Sequence, residues 1–150
     1  MNRVEKDHEK CLDVCNSLLR GERSAVETYD KAVEKYNSEP SAPALRKLRQ
    51  THSRAVGLLE ENVRSMGGTP DTDSGAWGTF ANMVQSTANL FGEDSAVSAL
   101  QKGEEHGKND YQDALDNDDV LPGCKDMIRT HLLPGVLTNI STLETLGETI

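Results

Sequence analysis

Two stretches of the chain repeat one another, and each carries a glutamate where a bundle helix would carry an apolar residue. The first runs Leu-Leu-Arg-Gly-Glu to Glu22 and is followed by Tyr29, and the second runs Leu-Gln-Lys-Gly-Glu to Glu104 and is followed by Tyr111. Both fit the pattern L-x-[R/K]-G-E-x6-Y-x2-A-[V/L]. Such a repeat predicts a fold of two similar halves. A carboxylate at the same place on the buried side of each half predicts a shared central site.

Size and composition restrict the class of protein and its partners. The 150 residues predict one domain over 1–150, and an aromatic content of only 4% favours helix packing over a β-sandwich. The chain has 25 acidic and 16 basic residues, a net charge of −9 that argues against nucleic acid or an anionic membrane as partner. No apolar run approaches the ~20 residues of a membrane helix, and the first residues lack the apolar core of a signal peptide. We therefore expect a cytoplasmic protein.

The chain contains three cysteines, an odd number that does not favour a disulfide framework. Cys11 and Cys15 are four residues apart and share one face of a helix, a spacing that a metal or redox pair could use. Free thiols more often behave as small buried hydrophobes. The sequence favours that interpretation of these cysteines.

Apolar residues recur at helical spacing along most of the chain, which predicts four long helices. The predicted helices cover residues 3–36, 44–66, 94–117 and, after a turn at 118–123, a last segment that ends near 146. Glycine and proline at 67–70 are expected to stop the second helix. Pro134 lies inside the fourth helix and predicts a kink, because proline removes a backbone donor.

The segment 76–91 joins the second and third predicted helices. Its sixteen residues have apolar side chains at helical spacing, and at 1.5 Å per residue they would span roughly 24 Å, most of the length of a bundle. A bundle with one long crossover is the ferritin-like arrangement. The sequence thus predicts an all-α, ferritin-like four-helix bundle with one long, partly helical crossover between helices 2 and 3.

Three large aromatic residues of this segment, Trp77, Phe80 and Phe91, bear on the oligomeric state. Exposed aromatic side chains favour interfaces, and one bundle has limited surface to cover all three. The sequence therefore suggests a homodimer. The alternative is that these side chains cap the core of their own subunit.

A polar residue falls on the inward face of each of the four predicted helices. These residues are Glu22, His52, Glu104 and Asn139. A buried carboxylate needs a partner. The partner is either another polar side chain, with the tyrosine hydroxyls of both repeats within reach, or a metal ion.

The ligand set of a ferritin-like di-iron site is incomplete in this chain. Such a site takes one glutamate from each of two helices and Glu-x-x-His from each of the other two. Glu22 and Glu104 match the single glutamates, and His52 matches one histidine. Arg49, however, stands three residues before His52, where a carboxylate belongs. A full di-iron centre is therefore not expected.

The fourth helix leaves two candidates for a further ligand. The segment Arg-Thr-His131 resembles Gln-Thr-His52, whereas helical phase places Asn139 and not His131 on the inward stripe. A kink at Pro134 could change that phase. Two interpretations follow: a hydrogen-bonded Glu–His–Tyr core without a cofactor, or a single divalent Fe, Mn or Zn ion. The metal ligands would be Glu22, His52, Glu104 and His131, with Asn139 as the alternative fourth position. The incomplete set favours the core without a metal.

Several motifs distributed over nearly the whole chain are distinctive. They are the segments 18–22 and 25–29, Gly-Gly-Thr-Pro at 67–70, Ser-Gly-Ala-Trp-Gly-Thr-Phe-Ala at 74–81, Gly-Glu-Glu-His-Gly at 103–107 with Tyr111, and Leu-Leu-Pro at 132–134. Together they resemble a family of bacterial ferritin-like four-helix-bundle proteins known as a domain of unknown function. The resemblance implies the ferritin-like fold and an intracellular, stress-related role, without an established reaction. Similar members often carry a histidine where Asn139 stands.

Two functional hypotheses follow from these observations. The first is a non-enzymatic ferritin-like bundle with a degenerate di-iron site, acting as a small stress-associated protein or binding a protein partner. The second is a metal-dependent oxidase or metal-storage protein that uses Glu22, His52 and Glu104. A nucleophilic hydrolase is disfavoured, because no Ser, Cys or Thr stands beside a His and an acid in a recognisable spacing.

Overall fold

The structure is a computed structural model, and it describes residues 3–75 and 93–150, with side chains from residue 8 onward. The described helices are α1 (Arg3–Lys35), α2 (Ala42–Ser65), α3 (Glu93–Asp116), α4 (Pro122–Met127) and α5 (Leu133–Thr149), with a π-helical turn (Ile128–Leu132) between α4 and α5. The segment 122–149 forms the fourth long helix, and the described residues contain no strand. The predicted all-α four-helix bundle is therefore confirmed. None of these helices combines the length and apolarity needed to cross a bilayer.

The helical crossover predicted at 76–91 lies outside the described residues. Trp77, Phe80 and Phe91 belong to that segment, so the homodimer that they suggest stays a prediction.

The predicted stop of α2 is confirmed in detail. Gly67 has a φ of 82°, a conformation that only glycine adopts without strain. Its N–H bonds to the Arg64 carbonyl at 2.9 Å, and the Gly68 N–H bonds to the Val63 carbonyl at 3.0 Å. These two bonds form a Schellman motif, which satisfies carbonyls at the helix end.

The π-helical turn lies where the sequence predicts a kink. Pro134 has no N–H to give to the carbonyl four residues earlier, so the regular hydrogen-bond ladder cannot continue through it. The Leu133 N–H instead bonds to the carbonyl of Ile128, five residues back. The change of register accommodates the proline and alters which residues of the fourth helix face the core.

Apolar side chains form two core clusters, one toward each end of the bundle. Along α1 the buried residues belong to the first cluster up to Leu19 and to the second from Ala25 onward. The other long helices change cluster in the same way. The change occurs at one buried polar residue on each helix: Glu22, His52, Glu104 and Asn139. The polar residues therefore form a layer across the middle of the bundle.

Candidate functional site

The polar layer is almost completely shielded from solvent. The exposed fractions are 6% for Glu22, 2% for His52, 0% for Glu104 and 2% for Asn139. Each side chain comes from a different long helix, as helical phase indicates from the sequence. Because these side chains are so deeply buried, the stability of the layer depends on their contacts with one another. An unpaired charge in a bundle core is strongly destabilising.

The imidazole of His52 lies between the two carboxylates. Its Nδ1 is 2.5 Å from Glu22 Oε2, and its Nε2 is 2.6 Å from Glu104 Oε1. The glutamates of the two repeats thus contact opposite ends of one ring. A single ion could not contact both carboxylates and the imidazole unless these side chains moved.

The tyrosines of the repeats bond crosswise to these carboxylates. The hydroxyl of Tyr29 on α1 donates to Glu104 Oε1 on α3 at 2.7 Å. The hydroxyl of Tyr111 on α3 donates to Glu22 Oε1 on α1 at 2.5 Å. Burial, followed by the neighbouring carboxylates, raises the pKa of both tyrosines well above 10. Both hydroxyls therefore keep their protons, and each repeat supplies the donor for the acid of the other.

Asn139 completes the layer from α5. Its side-chain N–H donates to Glu104 Oε1 at 3.1 Å, and the same nitrogen lies 3.2 Å from His52 Nε2. Glu104 Oε1 is therefore crowded with donors, whereas Glu104 Oε2 has no hydrogen-bond partner among the described residues. This asymmetry distinguishes the Glu104 side of the layer from the Glu22 side.

The charge state of His52 follows from its surroundings. Burial disfavours the charged ring, but the charges of Glu104 and Glu22 and their hydrogen bonds outweigh it, raising the pKa of His52 from 6.5 to about 10. The ring is therefore an imidazolium at neutral pH, with both N–H groups directed at carboxylates. The ring of Tyr29 stacks on it, with centroids 5.3 Å apart and an interplanar angle of 21°. Stacking of this kind favours the cationic form.

A groove of about 520 Å³ lies between α2 and the π-helical turn with α5, and it reaches Glu22 and His52. His131, the other predicted candidate on the fourth helix, is exposed and lines this groove. Asn139, in contrast, contacts Glu104 directly. The structure thus places Asn139 in the polar layer and His131 outside it. Lys47 and Arg54 also line the groove. They are seven residues apart and share a face of α2, a spacing from which their position at one site could have been predicted.

Sequence analysis also missed the position of Cys124, whose Sγ lies 3.1 Å from Cys15 Sγ across 109 residues of chain. The sequence does contain a local signal of its burial, because three apolar residues follow Cys124 at intervals of four residues. These are Ile128, Leu132 and Val136. The spacing indicates that Cys124 faces the core, but it does not indicate which residues it meets there.

No curated protein and no solved structure matches the chain. The profile of one family matches residues 10–117, a range that contains Glu22, His52 and Glu104 and ends before Asn139. That range covers most of the 150 residues, and its family has the description that the sequence motifs indicated. The chain therefore belongs to the family described as a domain of unknown function (DUF2383).

Proposed function

We propose that this protein is a non-enzymatic, ferritin-like bundle in which a buried imidazolium takes the place of metal ions between two carboxylates. Its role is then a stress-associated one, as the family resemblance implies, or the binding of a protein partner, rather than redox chemistry. The observation that carries the proposal is that His52 contacts Glu22 and Glu104 through its two ring nitrogens. A proton held in this way neutralises part of the charge that two cations would neutralise in a di-iron protein.

The donor set supports this proposal over a di-iron centre, which takes four carboxylates and two histidines. The polar layer offers two carboxylates, one imidazole and one amide. Arg49 occupies the position expected for a third carboxylate, and it pairs with Asp30 at the surface. Val136 stands three residues before Asn139, where the fourth would be, and it is buried in the apolar core. The residues present therefore do not fit a di-iron centre.

The internal hydrogen bonds support a structural role for the layer. As an imidazolium, His52 donates an N–H proton to each carboxylate, and both tyrosine hydroxyls donate to the same carboxylates. A general acid or base must reach a proton on its substrate. These groups are committed to one another and nearly inaccessible, so they are suited to fixing how the helices pack.

One observation favours a second candidate, a protein that binds a single Fe, Mn or Zn ion. Glu104 Oε2 is buried and has no hydrogen-bond partner among the described residues, and the groove offers a path toward His52. An ion held by His52 and Glu104 would take Asn139 as a third ligand through its amide oxygen, which requires the amide group to turn, because its nitrogen now faces both side chains. Glu22 would then orient the imidazole through its other nitrogen, as carboxylates behind metal-bound histidines commonly do.

Metal content and thermal stability distinguish the two candidates. We expect protein purified without chelators to contain no stoichiometric Fe, Mn or Zn, and its Tm to be unchanged by each ion. An ion bound at 100 times its Kd would add about 2.7 kcal/mol of stability, which raises Tm by several degrees in a domain of this size.

The matched variants for this measurement are Glu104→Gln in the core and Glu105→Gln on the exposed side of the same helix. A rise in Tm that is present in the wild type and in Glu105→Gln but absent in Glu104→Gln would contradict the proposal. A rise that persists in Glu104→Gln would report an ion bound elsewhere in the molecule and leave the proposal standing.

A further inference from the structure

Three cysteine sulfurs meet in the first core cluster, on the opposite side of the polar layer from the cluster that contains Tyr29. Cys11 and Cys15 come from α1 and Cys124 from α4, and their Sγ atoms all lie within 4.8 Å of one another. The three residues are 0%, 0% and 2% exposed, and none forms a disulfide. Two helices far apart in sequence thus bring together three soft ligand atoms at one buried point.

The spacing of the sulfurs is close to that of thiolates on a single metal ion. With bonds of about 2.3 Å, three thiolates on one ion lie roughly 4 Å apart. Cys15 Sγ and Cys124 Sγ are 3.1 Å apart, and Cys11 Sγ lies within 4.8 Å of each of them. Small changes of side-chain torsion would therefore admit an ion between them.

A backbone N–H and a side-chain amide, neither of them part of the cysteine set, donate to two of these sulfurs. The Leu121 N–H donates to Cys11 Sγ at 3.4 Å, and the Asn62 side-chain N–H donates to Cys15 Sγ at 3.3 Å. Donors in this outer position stabilise thiolates and orient them as ligands. The thiolate is the form of cysteine that binds metal.

We propose that Cys11, Cys15 and Cys124 form a binding site for a soft monovalent metal ion, Cu(I), independent of the polar layer. Soft thiolate ligands select Cu(I), zinc or iron–sulfur clusters. Structural zinc takes four ligands in a tetrahedron, whereas no fourth His, Cys, Asp or Glu atom among the described residues joins this set. The burial of all three sulfurs leaves little access for a water ligand. Each thiol that binds the ion releases its proton to solvent.

The test is an anaerobic titration of the reduced full-length protein with Cu(I), in competition with a coloured Cu(I) chelator. We expect one Cu(I) per chain to be withheld from the chelator, with an ultraviolet thiolate-to-copper absorption band and a rise in Tm. An equal concentration of Zn(II) should not displace it. A wild-type protein that leaves all the copper on the chelator, or that exchanges copper for zinc, would overturn the assignment.

Substituting the cysteines tests whether the copper ion is bound by their sulfurs. Cys15→Ala and Cys124→Ala should each weaken Cu(I) binding by at least the 10- to 100-fold that loss of an outer-shell partner causes. Val120→Ala is the matched control, because it truncates a buried side chain of the same cluster and keeps all three sulfurs. Retention of wild-type affinity by either cysteine variant would refute the site. If neither cysteine variant folds, the competition result for the wild type decides.

Discussion

Replacing His52 by leucine is expected to lower the free energy of unfolding at pH 7 by roughly 3 to 5 kcal/mol, the cost of removing one partner from a buried ion pair. The substitution leaves Glu22 and Glu104 in a nearly solvent-free layer without the charge between them. The tyrosines and Asn139 still donate to the carboxylates, but they bring no positive charge. Urea denaturation followed by circular dichroism measures the difference.

A matched substitution makes this result specific to the buried imidazole. His131→Leu changes an exposed histidine of the same chain and should alter the stability by no more than about 0.5 kcal/mol. A loss below about 1 kcal/mol, less than a buried ion-pair partner contributes, would contradict this account.

The stability of the wild-type protein is expected to fall as the pH rises from 6.5 toward 10. Histidine in the unfolded chain has a pKa near 6.5, whereas the pKa of His52 in the folded protein is about 10. The folded state therefore binds this proton more tightly. The resulting stabilisation is fully present below pH 6.5, declines as the pH rises, and is lost above about pH 10. Integrated over that range, it amounts to about 5 kcal/mol.

Other titrating groups must be separated from this effect. Titratable side chains that contact His52 or its carboxylate partners include Glu22 and Tyr29 from α1 and Glu104 and Tyr111 from α3, and the pKa of both tyrosines lies well above 10. Urea denaturation at intervals between pH 6 and pH 10 should show the decline in the wild type and a shallower one in His52→Gln. Equal slopes in the two proteins would show that His52 does not carry the dependence.

The centre of the bundle could be predicted from the sequence because it depends on local phase. Glu22 and Glu104 occupy the same place in two copies of one pattern, and seven-residue spacing places each on a buried stripe. His52 and Asn139 follow from the same counting along their own helices. Phase also favours Asn139 over His131, and the structure agrees, with a π-helical turn between the fourth helix's two halves.

The pairing of these groups could not be predicted, because it depends on how distant helices meet. Each tyrosine is two turns from the glutamate of its own repeat, yet it donates to the glutamate of the other, 75 residues away for Tyr29 and 89 for Tyr111. The pattern shows neither this exchange nor the position of His52 between the two acids. Cys124 is a similar case, since its partners on α1 precede it by more than 100 residues.

The protonation of His52 tests the central claim most directly, and ¹⁵N NMR of the histidine side chains at pH 8 measures it. The His52 signals are assigned by their absence in His52→Gln, which separates them from those of the other three histidines. Two protonated ring nitrogens at this pH, more than one unit above the usual histidine pKa, are the predicted result. One protonated and one bare nitrogen, with titration near pH 6.5, would contradict the account.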